Sequence, residues 1–187
     1  IPALAIMPVS GSLKDKMDIV FDRNKGNVTW SADEKYIYFS AQSNGGQPLY
    51  RADVSTKKVE QLTDHNSGIS SFALGNDKLL MVKTEPASPF EIFRADETAK
   101  DQQRISSLNK EWIRSKKLSL PEKHSFANEK GMSIEYWVMK PTNYEAEKKY
   151  PLLLEIHGGP SAMWGPGESS MWHEYQYFCS KGYGVVY

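Results

Sequence analysis

One stretch of this chain is written twice, and that repetition limits the folds open to it more than any other feature. Thr29-Trp30-Ser31-Ala32-Asp33-Glu34-Lys35-Tyr36-Ile37-Tyr38-Phe39-Ser40-Ala41, with Pro48-Leu49-Tyr50-Arg51-Ala52-Asp53 behind it, aligns with Ser71-Phe72-Ala73-Leu74-Gly75-Asn76-Asp77-Lys78-Leu79-Leu80-Met81-Val82-Lys83 and Phe90-Glu91-Ile92-Phe93-Arg94-Ala95-Asp96. Trp30 and Phe72 are 42 positions apart, and Asp53 and Asp96 are 43 apart. A period of about 42 residues is close to one blade of a β-propeller. Each unit has an aromatic at a strand end, a polar turn, an alternating strand, a loop and a further alternating strand, which is the pattern of linked hairpins. Ser43-Asn44-Gly45-Gly46-Gln47 supplies the turn chemistry between two of them. Propellers close with about 4 to 8 blades. Two blades, in a chain that starts without Met and stops inside an apolar run, predict a piece of something longer. The alternative is an ordinary antiparallel sheet built from two similar meanders.

The pattern changes near residue 105. Residues 106–124 scatter Leu108, Trp112, Ile113 and Leu118 among lysines with no strict period, and they read as an interdomain connector. His124 to Ala127 and Met132 to Met139 flank Asn128-Glu129-Lys130-Gly131, a hairpin with Gly131 in the left-handed position. Leu152-Leu153-Leu154-Glu155-Ile156 is nearly continuous apolar sequence, as in a strand covered on both faces of an α/β sheet. A helical or irregular stretch from about Glu168 to Lys181 then leads to Tyr183-Gly184-Val185-Val186-Tyr187, a second strand. Strand, crossover and strand are the opening of a doubly wound sheet. The fold expected is therefore mixed: the C-terminal blades of a β-propeller over residues 1–105, the connector over 106–124, and the first strands of an α/β-hydrolase domain over 125–187.

Composition narrows the function by exclusion. The 23 Lys and Arg are matched by 23 Asp and Glu, and the balance holds on both sides of residue 108. A nucleic-acid partner held through its phosphates needs a clustered basic excess, so none is expected. No apolar run approaches the roughly 20 residues that span a bilayer, and no membrane partner is expected. Cys179 is the only cysteine, which rules out an internal disulfide and a cysteine-based metal site. His173-Glu174 lacks the second histidine of a zinc-protease helix, since position 177 is tyrosine. No metal or cofactor is called for. The compartment stays open, and so does the meaning of the formal glycosylation acceptor Asn27-Val28-Thr29.

His157-Gly158-Gly159-Pro160, directly after a buried strand, carries the chemistry. Acyl transfer creates a tetrahedral oxyanion, and a fixed N–H aimed at it is worth about 3 kcal/mol. Glycines let a loop bring its amides close because no Cβ intervenes. Pro160 has no N–H, so the donor is Gly158 or Gly159; the competing reading is a tight turn that uses these residues for geometry alone. Ser161, Ser169 and Ser170 stand near His157 and His173 but not on a strand-turn-helix elbow, so they make poor nucleophiles. Trp164 and Trp172 are candidates to border a substrate pocket. His65 and His124 read as surface residues, and Cys179 as a small packed side chain.

Together, the Trp30-Ser31-Ala32-Asp33 blade motif, the Lys149-Tyr150-Pro151 entry, His157-Gly158-Gly159-Pro160, and Met163-Trp164-Gly165-Pro166-Gly167-Glu168 through Trp172-His173-Glu174 resemble the prolyl oligopeptidase family of serine peptidases, in its acylaminoacyl-peptidase and dipeptidyl-peptidase-like branch. The resemblance covers nearly the whole chain. It implies a Ser-Asp-His peptidase whose propeller caps the active site and admits short peptides as substrates. It also implies Gly159 as first choice for the oxyanion-hole amide and Gly158 as second. His157 stands where other branches place a tyrosine, and with Trp164 and Trp172 it is a candidate substrate-binding residue. The family's G-x-S-x-G elbow and the acidic and histidine partners that follow it are absent, so the chain alone is expected to be inactive. A non-catalytic propeller that binds a partner and an esterase on the same sheet are the alternatives. Unpaired propeller edges would also favour a homo-oligomer.

Overall fold

The computed structural model describes residues 2–159, 162–168 and 174–187. Two four-stranded meanders fill residues 26–104. The first runs β3 (Gly26–Trp30), β4 (Tyr36–Ser40), β5 (Leu49–Asp53), β6 (Val59–Gln61), and the second β7 (Gly68–Gly75), β8 (Lys78–Glu85), β9 (Ser88–Ala95), β10 (Gln103–Arg104). In both, each strand lies beside its sequence neighbour and runs antiparallel to it. The repeat survives at the level of register. Arg51 on β5 faces Glu60 on β6, and 43 residues later Arg94 on β9 faces Gln103 on β10. The Arg51 guanidinium bonds the Glu60 carboxylate and covers the Tyr36 ring at 4.2 Å; Arg94 donates to Gln103 at 2.8 Å.

The aspartate that closes each repeat explains why the strand stops there. Asp53 Oδ1 accepts the Thr56 N–H and the Ser55 hydroxyl, both at 2.7 Å, and Asp96 Oδ1 accepts the N–H groups of Thr98 at 2.8 Å and Lys100 at 2.9 Å. The turns so capped carry Lys57 and Ala99 at φ 61° and 58°, a conformation that these local bonds must hold in place. Between β7 and β8, Asn76 and Asp77 both take positive φ, the two-residue turn whose twist matches a hairpin.

The sheets stack because β4 is apolar on both faces. Tyr38 points one way, and with Leu49 it shares a core with Ile69, Leu79, Met81 and Ala95 of the second meander. Its hydroxyl donates to Glu97 O at 2.9 Å. Ile37 and Phe39 point the other way, and with Tyr50 and Ala52 they pack on a two-stranded ribbon of β1 (Leu4–Ile6) and β2 (Met17–Ile19). Phe21 closes this second core edge-on to Phe39 and Tyr50. The sheets are an open stack; among the described residues no barrel or ring closes.

A third four-stranded sheet has the order β11 (Pro121–Ala127), β12 (Ser133–Met139), β14 (Gly184–Val186), β13 (Leu152–Leu154). The expected hairpin is present: Asn128 Oδ1 accepts from Lys130 and Met132, and Gly131 sits at φ 74°. β13 and β14 are parallel, with α2 (Tyr175–Ser180) between them in sequence. Met139, Tyr175, Cys179 and Val185 form the core beneath α2.

Two expectations need correction. The stretch read as connector through residue 124 already contains the start of β11 at Pro121. A proline is tolerated there because it opens an edge strand. Before it come only a five-residue helix, α1 (Lys110–Arg114), and irregular chain. The strand expected to be covered on both faces is also different. Leu153 packs on the α2 core, but Leu152, Leu154 and Ile156 are 65%, 62% and 81% exposed. β13 lies at the sheet edge with β14 on one side, and α2 shields only one face.

Candidate functional site

A cleft of about 730 Å³ opens where three parts of the chain meet. The loop between β2 and β3 gives it Arg23 and Lys25, the loop between β4 and β5 gives Gln42 and Asn44, and the third sheet and its loops give Glu135, Trp137, His157, Trp164 and Tyr187. Its inner wall is aromatic. Trp137 on β12 is 8% exposed, stacks on Tyr187 at 5.9 Å and exchanges both backbone bonds with it. Tyr187 in turn stacks on Tyr175 at 4.5 Å. Both tyrosine hydroxyls are buried with no partner among the described residues, and burial raises both above the ordinary phenol range.

The opposite side of the mouth is formed by the segment after β13. The chain leaves the sheet at Glu155, whose N–H still bonds Val186 O at 2.8 Å, and reaches His157 at the edge of the cleft. The His157 ring stacks on Trp164 at 5.7 Å, and its Nδ1 lies 2.9 Å from Gly158 O. A proton on Nδ1 would be donated to that carbonyl. Gly158 and Gly159 are both exposed. A Cβ placed on Gly158 would meet nothing within 4 Å, and no described residue accepts the N–H of either glycine.

Of the residues singled out from the sequence, the structure thus brings His157 and Trp164 together at the cleft, with Gly158 and Gly159 just beyond its lining. Trp172 lies outside the described residues, as do Pro160, Ser161, Ser169, Ser170 and His173. Cys179 is fully buried. Burial pushes its thiol up, which agrees with a packed side chain. His124 stacks on Tyr136 at a half-exposed position.

Sequence reasoning missed Trp137 and the loops between β2 and β3 and between β4 and β5. Trp137 falls within Met132 to Met139, one arm of the expected hairpin, and nothing local distinguishes a tryptophan lining a cleft from one in a core. Ser43 to Gln47 was read as a turn, and its two adjacent glycines gave a further signal. Gly45, at φ 84°, lies so close to Trp137 that a Cβ would approach Cζ2 to 2.4 Å.

No protein-family model matches the chain. Individual proteins do. It is 30% identical over 160 residues to the uncharacterized peptidase YuxL of Bacillus subtilis, covering 84% of this chain and 24% of that protein. It is 27% identical over 170 residues to dipeptidyl-peptidase 5 of Aspergillus fumigatus, covering 89% and 23%. The solved acylaminoacyl peptidase of Pyrococcus horikoshii superposes with a TM-score of 0.75 at 23% identity, covering 93% of this chain and 26% of that one, a likeness of fold. The chain spans about a quarter of the length of the curated relatives it matches. Shared sequence along nearly the whole chain and a shared fold thus agree with the likeness that its motifs carry to prolyl oligopeptidase family peptidases.

Proposed function

We propose that these residues are part of a longer serine peptidase that cleaves short peptides by acyl transfer, and that they supply the oxyanion-hole loop. In this reading residues 1–105 are about two blades of a propeller, 106–120 the connector that ends where β11 begins, and 121–187 the opening of an α/β-hydrolase domain. The stacked meanders with their 43-residue register repeat support the first assignment, and the parallel β13–α2–β14 unit supports the last. The observation that carries the function is the loop after β13. It places two glycine amides with no described acceptor beside a cleft that is walled by both the meander and the third sheet.

In the proposed mechanism a peptide lies in the cleft and a serine from outside these residues attacks its carbonyl carbon, its hydroxyl proton passing to a histidine that also lies outside them. The carbonyl π electrons move to oxygen, and the Gly159 N–H, or secondarily that of Gly158, donates to the oxyanion as it forms. Collapse of the tetrahedral intermediate breaks the C–N bond, the amine leaving with the proton that the histidine had taken, and water then releases the acyl group by the same path. The chemistry draws on no metal or cofactor. His157 and Trp164 form the rim that the peptide passes.

The full-length gene product tests this with acyl-peptides, dipeptide amides and simple esters as substrates and a fluorophosphonate as serine probe. Peptide hydrolysis and labelling of the full-length protein, with none in the 187-residue chain, are expected. Gly159→Pro, which removes the donor, should lower kcat by roughly 100-fold with KM little changed. Hydrolysis of esters alone would assign an esterase. Absence of any turnover and of any label would leave a binding module. Full activity in Gly159→Pro would remove the oxyanion role.

A further inference from the structure

On the peptidase reading above, we infer that the backbone junction between Gly45 and the Gly165–Gly167 turn is the positioning element that aims the Gly159 N–H, acting through Trp164 and His157. The junction begins with a strapped segment. Met163 to Glu168 lies along the loop between β4 and β5 and is held at both ends: Gly45 donates its N–H to Met163 Sδ at 3.1 Å, Gly167 donates to Gly45 O at 3.0 Å, and Gln42 Nε2 donates to Glu168 Oε1 at 2.9 Å. Glu168 N–H closes the turn on Gly165 O at 2.9 Å. The two backbones approach so closely that a Cβ on Gly165 would stand 2.3 Å from both Cα and O of Gly45. Main chain cannot yield as a flexible side chain can, so this contact restrains where the segment can sit.

That position is passed on by contact. Trp164 sits inside the strapped segment, immediately before Gly165, and its ring stacks on His157 at 5.7 Å. His157 Nδ1 faces Gly158 O at 2.9 Å. Gly158 C=O and Gly159 N–H belong to one planar trans peptide and point in opposite directions. Holding the carbonyl toward the imidazole therefore turns the Gly159 N–H away from it. A shift of the Trp164 ring releases the imidazole, and the amide loses its aim. A loop of the first meander, far from the reacting bond in sequence, thereby sets the direction of a donor on the third sheet.

The test uses the full-length gene product and three variants. Gly165→Ala forces the backbones apart, Gln42→Ala frees the far end of the segment without a clash, and Gly75→Ala serves as control, since a Cβ there meets nothing within 4 Å. The readouts are kcat and KM on an acyl-peptide, affinity for a peptide boronate as tetrahedral mimic, affinity for the product peptide, and the thermal midpoint. Displacing the donor by about 1 Å should lower kcat roughly 100-fold in Gly165→Ala, with a parallel loss of boronate affinity and unchanged product affinity. Gln42→Ala should show the same pattern at about fivefold, and Gly75→Ala should match the parent. Equal losses of boronate and product affinity, or none, would reduce the junction to packing and overturn the inference. Should Gly165→Ala fail to fold, unchanged kcat in Gln42→Ala would overturn it alone. A parent protein with no turnover and no fluorophosphonate label sinks the peptidase reading and this inference with it, whereas an active parent with an equally active Gly165→Ala sinks the inference alone.

Discussion

At the scale of single residues, the aspartates at the turns show how a short sequence motif becomes geometry. Asp53 recurs as Asp96 because a strand that ends in Arg-Ala-Asp needs a side-chain acceptor to turn the chain back. The Thr56 N–H and the Ser55 hydroxyl hold the Asp53 carboxyl down at about 2. Asp33, bonded by the Ser31 hydroxyl and by Lys35, is held at about 2 as well. A carboxyl depressed in the folded state stabilises the fold above its unfolded value, near 3.8, and that contribution disappears as pH falls toward 2. The protein should therefore resist urea less at pH 2.5 than at pH 6. Asp53→Ala should be weaker at pH 6 and lose less on acidification; an unchanged pH slope in Asp53→Ala would refute the assignment. The recurrence of Asp53 as Asp96 was legible in the sequence, and each meets its bonding partners two or three positions on, at Ser55, Thr56 and Thr98. The roles of Trp137 and Gly45 were not legible, since what they touch lies about 90 positions away along the chain.

Among the elements, the meanders were readable because alternation and turn residues are local signals repeated in register. The connector was not, because its order comes from one distant carboxylate. Glu91 on β9 has a fully buried side chain, and it gathers the chain after β10. The Ser106 hydroxyl bonds it, the N–H groups of Leu108 and Asn109 donate at 3.1 and 2.8 Å, and Arg104 stands at 3.3 Å. Burial opposes its ionisation, yet these donors outweigh burial and hold the carboxyl below its usual range. An aspartate-like capping role cannot be read from Phe90-Glu91-Ile92, where a glutamate among apolar residues looks like the polar face of a strand. Glu91→Gln puts an amide donor among donors and should cost about 3 kcal/mol. Urea unfolding would measure the loss, and limited proteolysis should find faster cleavage within residues 106–114. If both match the parent, Glu91 is not what orders the connector.

For the molecule as a whole, the question is which surface carries the association expected from unpaired strand edges. The edge strands β6 and β10 end in Glu60-Gln61 and Gln103-Arg104, polar pairs that discourage a further strand. Greater apolar exposure lies elsewhere: Val28 and Trp30 on β3 are 49% and 45% exposed, and Leu152, Leu154 and Ile156 at β13 exceed 60%. The continuous apolar run that suggested a strand covered on both faces reports the environment such a strand requires, whereas the described chain covers it on one side only. That is why the strand was legible and its burial was not. Apolar exposure on an edge strand drives pairing between copies, and β13 combines the two more strongly than β3 does. The 187-residue chain should therefore elute from size-exclusion chromatography above the mass of one copy. Leu154→Lys should return it toward the monomer position, and Val28→Lys should change it less. The reverse order would place the contact on the meander edge, and a monomeric parent would show that the exposed leucines do not suffice to pair two copies.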